Sequence, residues 1–260
     1  MARAVGAVLF SVWSEQPHRP TQDLDLLARG GDSPSRLEQV FRGVCELDVP
    51  DDGLSFQADS VSVEQIREDQ EYGGVRVTLT AMLGVARIPI QVDVGFGDAV
   101  TPAPNEIVYP TLLGFPAARI RAYPRETVVA EKLHAIVFLG MQNSRMKDYY
   151  DLWTLASGFT FSGQTVSAAI ASTFARRQTP IPREPPLALT GEFAGDAAKR
   201  VQWSAFLRKS RLQQVDLDLG QVVSVLRGFL MPPALAAADG ATFSLVWPPK
   251  GPWTARSLDG

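Results

Sequence analysis

In 260 residues there is one cysteine, Cys45, and there are two histidines, His18 and His134. A single thiol excludes an intramolecular disulfide, and so few sulfur and imidazole ligands exclude a Cys/His zinc centre. No apolar run approaches the roughly eighteen residues that a membrane-spanning helix needs. The apolar stretch at 7–13 is short, carries no small-residue cleavage pattern, and reads as part of a buried helix, not as a secretion signal. A chain without disulfides suits a reducing compartment, so a cytoplasmic location is expected. An excess of basic residues is also missing. The 25 Lys and Arg stand against 28 Asp and Glu, a net charge of -3, which excludes a global nucleic-acid-binding charge. Local basic clusters remain at Arg176-Arg177 with Arg183, at Lys199-Arg200, and at Arg208, Lys209 and Arg211 near Trp203 and Phe206. Each reads either as a grip on a nucleic-acid backbone or as a solvated helix face.

What the chain does have is a pair of aspartates one residue apart in Thr21-Gln22-Asp23-Leu24-Asp25-Leu26-Leu27. Side chains alternate along a strand, so Asp23 and Asp25 share one face and Leu24 and Leu26 the other. Two like charges that close repel unless a cation lies between them, and Mg²⁺ is commonly held by one or two carboxylates together with waters and substrate phosphates. The pair reads either as a metal site for phosphoryl chemistry or as a solvated strand end. Asp93 lies on the polar face of the alternating run Arg87-Ile88-Pro89-Ile90-Gln91-Val92-Asp93-Val94, ahead of Gly95-Phe96-Gly97. It joins the pair if the two strands are neighbours. Asp98, after the glycines, reads as a turn or cap residue.

The stretch Pro124 to Ile136 has helical spacing, with Val129, Leu133 and Ile136 as its stripe and Lys132 beside it. Lys132 is either a cleft-edge ammonium for nucleotide phosphates or a lysine that snorkels at the surface. In Arg145-Met146-Lys147-Asp148-Tyr149-Tyr150-Asp151, Asp148 and Asp151 share a helix face. They bind nucleotide, orient Lys132 or form a structural ion-pair ladder.

The coarse order is a helix over 4–13, the Asp23/Asp25 strand, a helix over 35–46, strands near 54–58, 60–68, 74–83 and 87–95, and helices over 124–139 and 145–156. The Tyr72-Gly73-Gly74 stretch reads as a hairpin turn. A proline-rich loop is expected at 178–190, a helix at 219–237, and a surface tail after Pro248. Apolar content of 45% permits one large core or two modest ones. Strands first and helices later indicate an α+β catalytic domain at 1–157 and a mainly helical part at 158–260.

Four segments occur in order: Arg19-Pro20-Thr21-Gln22-Asp23-Leu24-Asp25-Leu26, Val92-Asp93-Val94-Gly95-Phe96-Gly97-Asp98, Glu131-Lys132-Leu133-His134-Ala135 and Arg145-Met146-Lys147-Asp148-Tyr149-Tyr150-Asp151-Leu152. Together they resemble the motifs of the AbiEii/AbiGii toxin family of nucleotidyltransferases, within the DNA polymerase β-like superfamily. The resemblance runs from about Gly6 to Leu155 and weakly on to Gln202-Trp203-Ser204-Ala205-Phe206. It implies a polymerase β-like domain with a mixed sheet and a helical C-terminal part. It implies that Asp23 and Asp25 carry metal, that Asp93 is the third acidic member, and that Lys132 with Asp148 or Asp151 contacts nucleotide. Arg19, Thr21 and Gly6 fall at nucleotide-side positions, Thr21 being the hydroxyl two before the first aspartate. The family's Lys-Gly-Gly/Ala motif is represented by Val5-Gly6-Ala7, with valine for lysine, close to Met1; this implies an internal start or weakened nucleotide binding. The activity implied is Mg²⁺-dependent nucleotide transfer from an NTP, with two ions, to an RNA acceptor such as the 3′ end of tRNA, by a toxin paired with an antitoxin. The same site serves a protein or small-molecule acceptor equally well, and a regulatory protein that binds nucleotide without transfer is the remaining alternative.

Overall fold

The computed structural model describes residues 3–13, 19–21, 23–28, 33–67, 73–111, 114–212 and 217–255. The chain forms two compact units. Unit 1 comprises Met1–Asp98 and Glu106–Ala122, and unit 2 comprises Ala99–Asn105 and Tyr123–Gly260.

Unit 1 opens with strand β1 (Arg3–Val5), a 3₁₀ turn at Gly6–Leu9 and the short helix α1 (Phe10–Trp13). Then come β2 (Asp23–Ala28), α2 (Pro34–Cys45), β3 (Leu54–Arg67), β4 (Gly73–Leu83), β5 (Ala86–Phe96), β6 (Asn105–Val108) and β7 (Arg119–Ala122). Among the described residues these strands make a seven-stranded sheet in the order β3-β4-β5-β2-β1-β7-β6. The sheet is mixed: β2 runs parallel to β5 and antiparallel to β1, whereas β4 is antiparallel to both β3 and β5.

The pleat separates two faces. On one, Val75, Val77, Leu79, Val92 and Val94 form a core with Val61 of β3 and Leu37 of α2, and Leu26, Ala28 and Phe41 pack against it. Helix α2 fits this role because Leu37, Phe41 and Cys45 recur every fourth residue and Pro34 is pre-set for the first turn. Burying the apolar side chains of that face at about 1.5–3 kcal/mol each is what holds α2 on the sheet. The other face carries the polar residues of the same strands.

The expected helix over 4–13 is replaced at its start by β1. Three residues show no period of their own; the strand exists because it pairs with β2 on one side and β7 on the other. The two strands expected at 54–58 and 60–68 are one strand, β3, whose register against β4 shifts between Gln57 and Ser62. Gly73 and Gly74 already belong to β4, and Tyr72 lies outside the described residues.

Unit 2 contains α3 (Arg125–Leu139), α4 (Met146–Gly158), β8 (Phe161–Ser162), α5 (Gly163–Arg176), α6 (Gly191–Gly195), α7 (Ala197–Lys209), α8 (Leu219–Asp239) and β9 (Val246–Trp247). Helix α3 packs on α5, and α4 and α5 both pack on α8. The break between compact units therefore falls at Ala122/Tyr123, and the expected boundary at 157 lies inside unit 2, because α3 and α4 share their core with the later helices. Helix α8 is capped by Asp218, whose side chain accepts from the backbone N–H groups of Gly220 and Gln221, and it ends at Gly240 in the left-handed region. By length and composition α8 would cross a membrane. Its Leu219, Val222, Val223, Leu226, Phe229 and Leu230 are instead buried in unit 2 as a core stripe.

Residues 249–255 are packed and do not wander over the surface as expected of the tail after Pro248. Trp253 donates to the carbonyl of Phe229 at 3.0 Å, its ring stacks on that of Phe229, and the Lys250 N–H bonds the carbonyl of Ala156. The aromatic side chains supply apolar area that a Pro/Gly-rich composition conceals.

Candidate active site

Strand register assembles the acidic residues of unit 1. Asp25 of β2 stands directly beside Asp93 of β5, and Asp23 beside Gln91. Across the next pair, Asp93 faces Arg76 of β4, and Arg76 faces Glu64 of β3. On the far side Asp25 pairs with Val5 of β1. Glu64, Arg76, Asp93 and Asp25 thus form one transverse row on the polar face, at the strand spacing of about 4.8 Å, with Asp23 two residues up the β2 strand. Asp23 is exposed, and Asp25 and Asp93 are half-buried. The neighbour relation between the two aspartate-bearing strands, required for three carboxylates to act together, is present.

Arg76 is the residue that strand reading passed over. Its Nε donates to Asp93 Oδ1 and its Nη2 to Asp93 Oδ2, both at 2.8 Å, a two-pronged pair. Those hydrogen bonds raise the guanidinium pKa; partial burial opposes them, and the charges of Asp93, Asp23 and Glu64 add to them. Arg76 therefore stays positive throughout. In Val75-Arg76-Val77-Thr78 it has the appearance of any solvent-facing residue of an alternating strand, and only its register against Asp93 distinguishes it.

Gly6 is placed by two constraints. Its φ is +73°, and a Cβ built there would lie 2.3 Å from Asp25 Oδ2. A side chain at position 6 would push the Asp25 carboxylate out of its place. Val5-Gly6-Ala7 thus contributes backbone that approaches the acidic row closely. Thr21 precedes β2, which begins at Asp23, and its hydroxyl donates to the Asp23 carbonyl at 3.2 Å. That bond matches a capping hydroxyl at the strand entry. Arg19 lies just ahead, half-buried, whereas His18 and Gln22 fall outside the described residues.

Hard oxygen donors on one face suit Mg²⁺, which is content with one or two carboxylates and waters, and Asp23 with Asp25 fit that need. Asp93 fits it less well, because both its oxygens already hold Arg76. Among the described residues no three His, Cys, Asp or Glu side chains converge to hold a metal ion.

Unit 2 gathers the remaining candidates into a cluster of their own. Lys132 Nζ donates to Asp148 Oδ1 at 2.6 Å and lies 2.8 Å from Asp151 Oδ2; Arg145 Nε lies 2.7 Å from Asp148 Oδ2. Lys132 is 9% exposed, and Asp148 and Asp151 are 0% exposed. Burial works against charge on Lys132, but the two carboxylates outweigh it and raise its pKa. Burial likewise pushes Asp148 up, and Lys132 and Arg145 outweigh that and lower it. The snorkelling lysine does not describe this group; its contacts match both the reading in which the two aspartates orient Lys132 and the one in which they form a structural ion-pair ladder.

The basic clusters of unit 2 separate into built and exposed groups. Lys199 is buried, donates to the carbonyl of Asn143 at 3.1 Å and lies over the Phe193 ring. Trp203 is buried and donates to the Leu217 carbonyl, and Phe206 packs against Tyr150 and Trp203. Trp203 therefore belongs to the core and is not a base-stacking platform. Arg183 pairs with Asp239.

The parallel β2–β5 pair brings Asp25 against Asp93, with Asp23 in phase on the same strand, in an enzyme whose class is nucleotidyltransferase. The chain belongs to the family described as nucleotidyl transferase AbiEii toxin, type IV toxin–antitoxin system, whose model matches residues 5–228. Membership implies a nucleotide substrate and an antitoxin partner. No curated protein matches the chain. Similar solved structures include JHP933 from Helicobacter pylori, 13% identical with a TM-score of 0.47, covering 92% of this chain and 84% of that one. A second crystal structure from H. pylori is 13% identical with a TM-score of 0.45, covering 92% of this chain and 87% of that one.

Proposed function

We propose that this toxin transfers a nucleotide from an NTP to RNA, with the 3′ end of tRNA as acceptor, in the cytoplasm, and that a cognate antitoxin restrains it. The observation that carries the reading is the in-register placement of Asp25 beside Asp93, with Asp23 on the same face. Asp23 and Asp25 would hold Mg²⁺, which supplies charge neutralisation on the triphosphate and orients it for displacement. Asp93, fixed by Arg76, borders the pair on the β5 side. The acceptor hydroxyl gives up its proton to solvent water, its oxygen bonds to the α-phosphorus as the bond from that phosphorus to the oxygen bridging to the β-phosphate breaks, and pyrophosphate leaves with that oxygen. The Gly6 backbone leaves the Asp25 carboxylate its space. Arg19 and Lys132 are assigned to nucleotide by the sequence motifs in which they lie, and Lys132 is held by Asp148 and Asp151.

Incubation with each α-labelled NTP, Mg²⁺ and total cellular RNA tests this. Label in RNA at tRNA length supports the reading. Label in protein or in small molecules replaces the acceptor, and nucleotide bound without transfer refutes catalysis.

A further inference from the structure

Three aspartates on one face, carrying three negative charges, would call for more than one divalent cation; the row on this sheet already contains a cation. Arg76 sits between Glu64 and Asp93 in the register, and it spans both oxygens of Asp93 at 2.8 Å. Arg76 offsets the Asp93 carboxylate it spans, with Glu64 exposed on its far side, and the two charges left at Asp23 and Asp25 are what one divalent ion balances. The pair is anchored by the strands on both sides: Arg76 and Asp93 are cross-strand partners in an antiparallel ladder, so their contact costs little side-chain ordering and recurs wherever β4 and β5 pair. A guanidinium is delocalised, always charged and matched to a carboxylate in two-pronged geometry, which makes it a durable substitute for an ion at this position. A second divalent ion at Asp93 would have to displace it or settle against it.

We propose that Arg76 takes the place of a second metal ion, so that the centre binds a single divalent cation at Asp23 and Asp25 while Arg76 acts as the fixed positive charge on Asp93. This rests on the metal reading of Asp23 and Asp25 given above. Arg76 is on this view a positioning residue: it holds the Asp93 carboxylate at one orientation and keeps that side of the row from recruiting metal.

The test counts bound Mn²⁺ by electron paramagnetic resonance, on the full chain saturated with a non-hydrolysable NTP analogue, with the metal carried by free analogue subtracted. One Mn²⁺ per chain is expected for the parent protein and for Arg76→Lys. Arg76→Gln should take up a second Mn²⁺, and Arg76→Gln combined with Asp93→Asn should lose it again. Two Mn²⁺ in the parent protein, or one in a folded Arg76→Gln, overturns the inference. Should Arg76→Gln not fold, the parent and Arg76→Lys counts still decide: one ion in each supports the inference and two in either overturns it. Asp25→Asn separates the two layers. If it binds Mn²⁺ as the parent does, the assignment of metal to Asp23 and Asp25 fails, and the Arg76 inference fails with it.

Discussion

Replacing Lys132 by alanine offers the most direct measure of what unit 2 stores at its centre. The ammonium lies 2.6 Å from Asp148 and 2.8 Å from Asp151, and both carboxylates are fully buried. Removal would leave two enclosed negative charges, with Arg145, itself on the rim, pairing with Asp148. Breaking a buried ion pair by deleting one partner costs about 3–5 kcal/mol, mostly because the surviving charge is stranded. Two stranded carboxylates put Lys132→Ala at or above the upper end of that span, a large share of the roughly 5–15 kcal/mol that stabilises a whole domain. Urea titration followed by far-UV circular dichroism should show the midpoint falling at unchanged slope. If the charges are the cause, adding Asp148→Asn and Asp151→Asn to Lys132→Ala should recover part of the loss, since neutral amides are far cheaper to bury than unpaired carboxylates. A loss below about 1 kcal/mol would refute the reasoning, for it would mean that the group behaves as an exposed pair. Transfer measured well below the unfolding midpoint then separates roles. A further fall of tenfold or more in kcat/KM, about 1.4 kcal/mol, would assign Lys132 to nucleotide as well as to the fold.

Asp25→Ala should abolish NTP transfer and cellular toxicity with circular dichroism unchanged, and transfer at the parent rate by the folded variant would eliminate the acidic row as the reaction centre. Gly6→Ala should lower transfer and destabilise unit 1 by about 1 kcal/mol or more, because the left-handed backbone and the 2.3 Å approach to Asp25 both resist a Cβ; an unaltered melting temperature and rate would contradict it. His134 is held down to about 4 by burial and by the charge of Arg177, while its ring meets the Thr179 hydroxyl, Phe138 and Phe174. Its folded value lies below its unfolded value of about 6.5, so the stability it contributes is present above pH 6.5 and is lost as pH falls from there toward 4. Urea midpoints at pH 7.5 and 5 should differ in the parent and differ less in His134→Phe; an equal difference in both would remove His134 as the cause.

Much of unit 1 is legible because its strands alternate. Arg87 to Val94 declares which side is buried, and Asp93 falls on the polar side for the same reason that Val92 and Val94 fall on the core side. The helices of 124–139 and 145–156 are likewise visible from their stripes and from Pro124, and α3 and α4 match them within two residues. What escapes is set by partners remote in the chain. Nothing local in Arg3-Ala4-Val5 favours a strand, since its pairing is supplied by residues 25–27 and 122. Arg76 carries no mark until β4 and β5 are laid side by side. Lys132 lies beside its stripe, and spacing alone does not separate a surface ammonium from one enclosed by two carboxylates on another helix. The tail after Pro248 was obscured by composition, although Trp247 and Trp253 were the signal that it packs.

The parallel pairing of β2 with β5 has a temporal side. Asp25 and Asp93 are adjacent in space only after 68 further residues have been made and folded, and β1, which flanks Asp25, has its other edge covered by β7 at Arg119–Ala122. Contacts so distant along the chain form slowly and together, because their closure entropy is spent before any contact rewards it. A chain that stops short of β5 can set Asp25 against Val5 of β1 but lacks the strand that carries Asp93, so its acidic row is incomplete. The acidic row is therefore completed as one late event in the life of each molecule, once β5 has been made and laid beside β2.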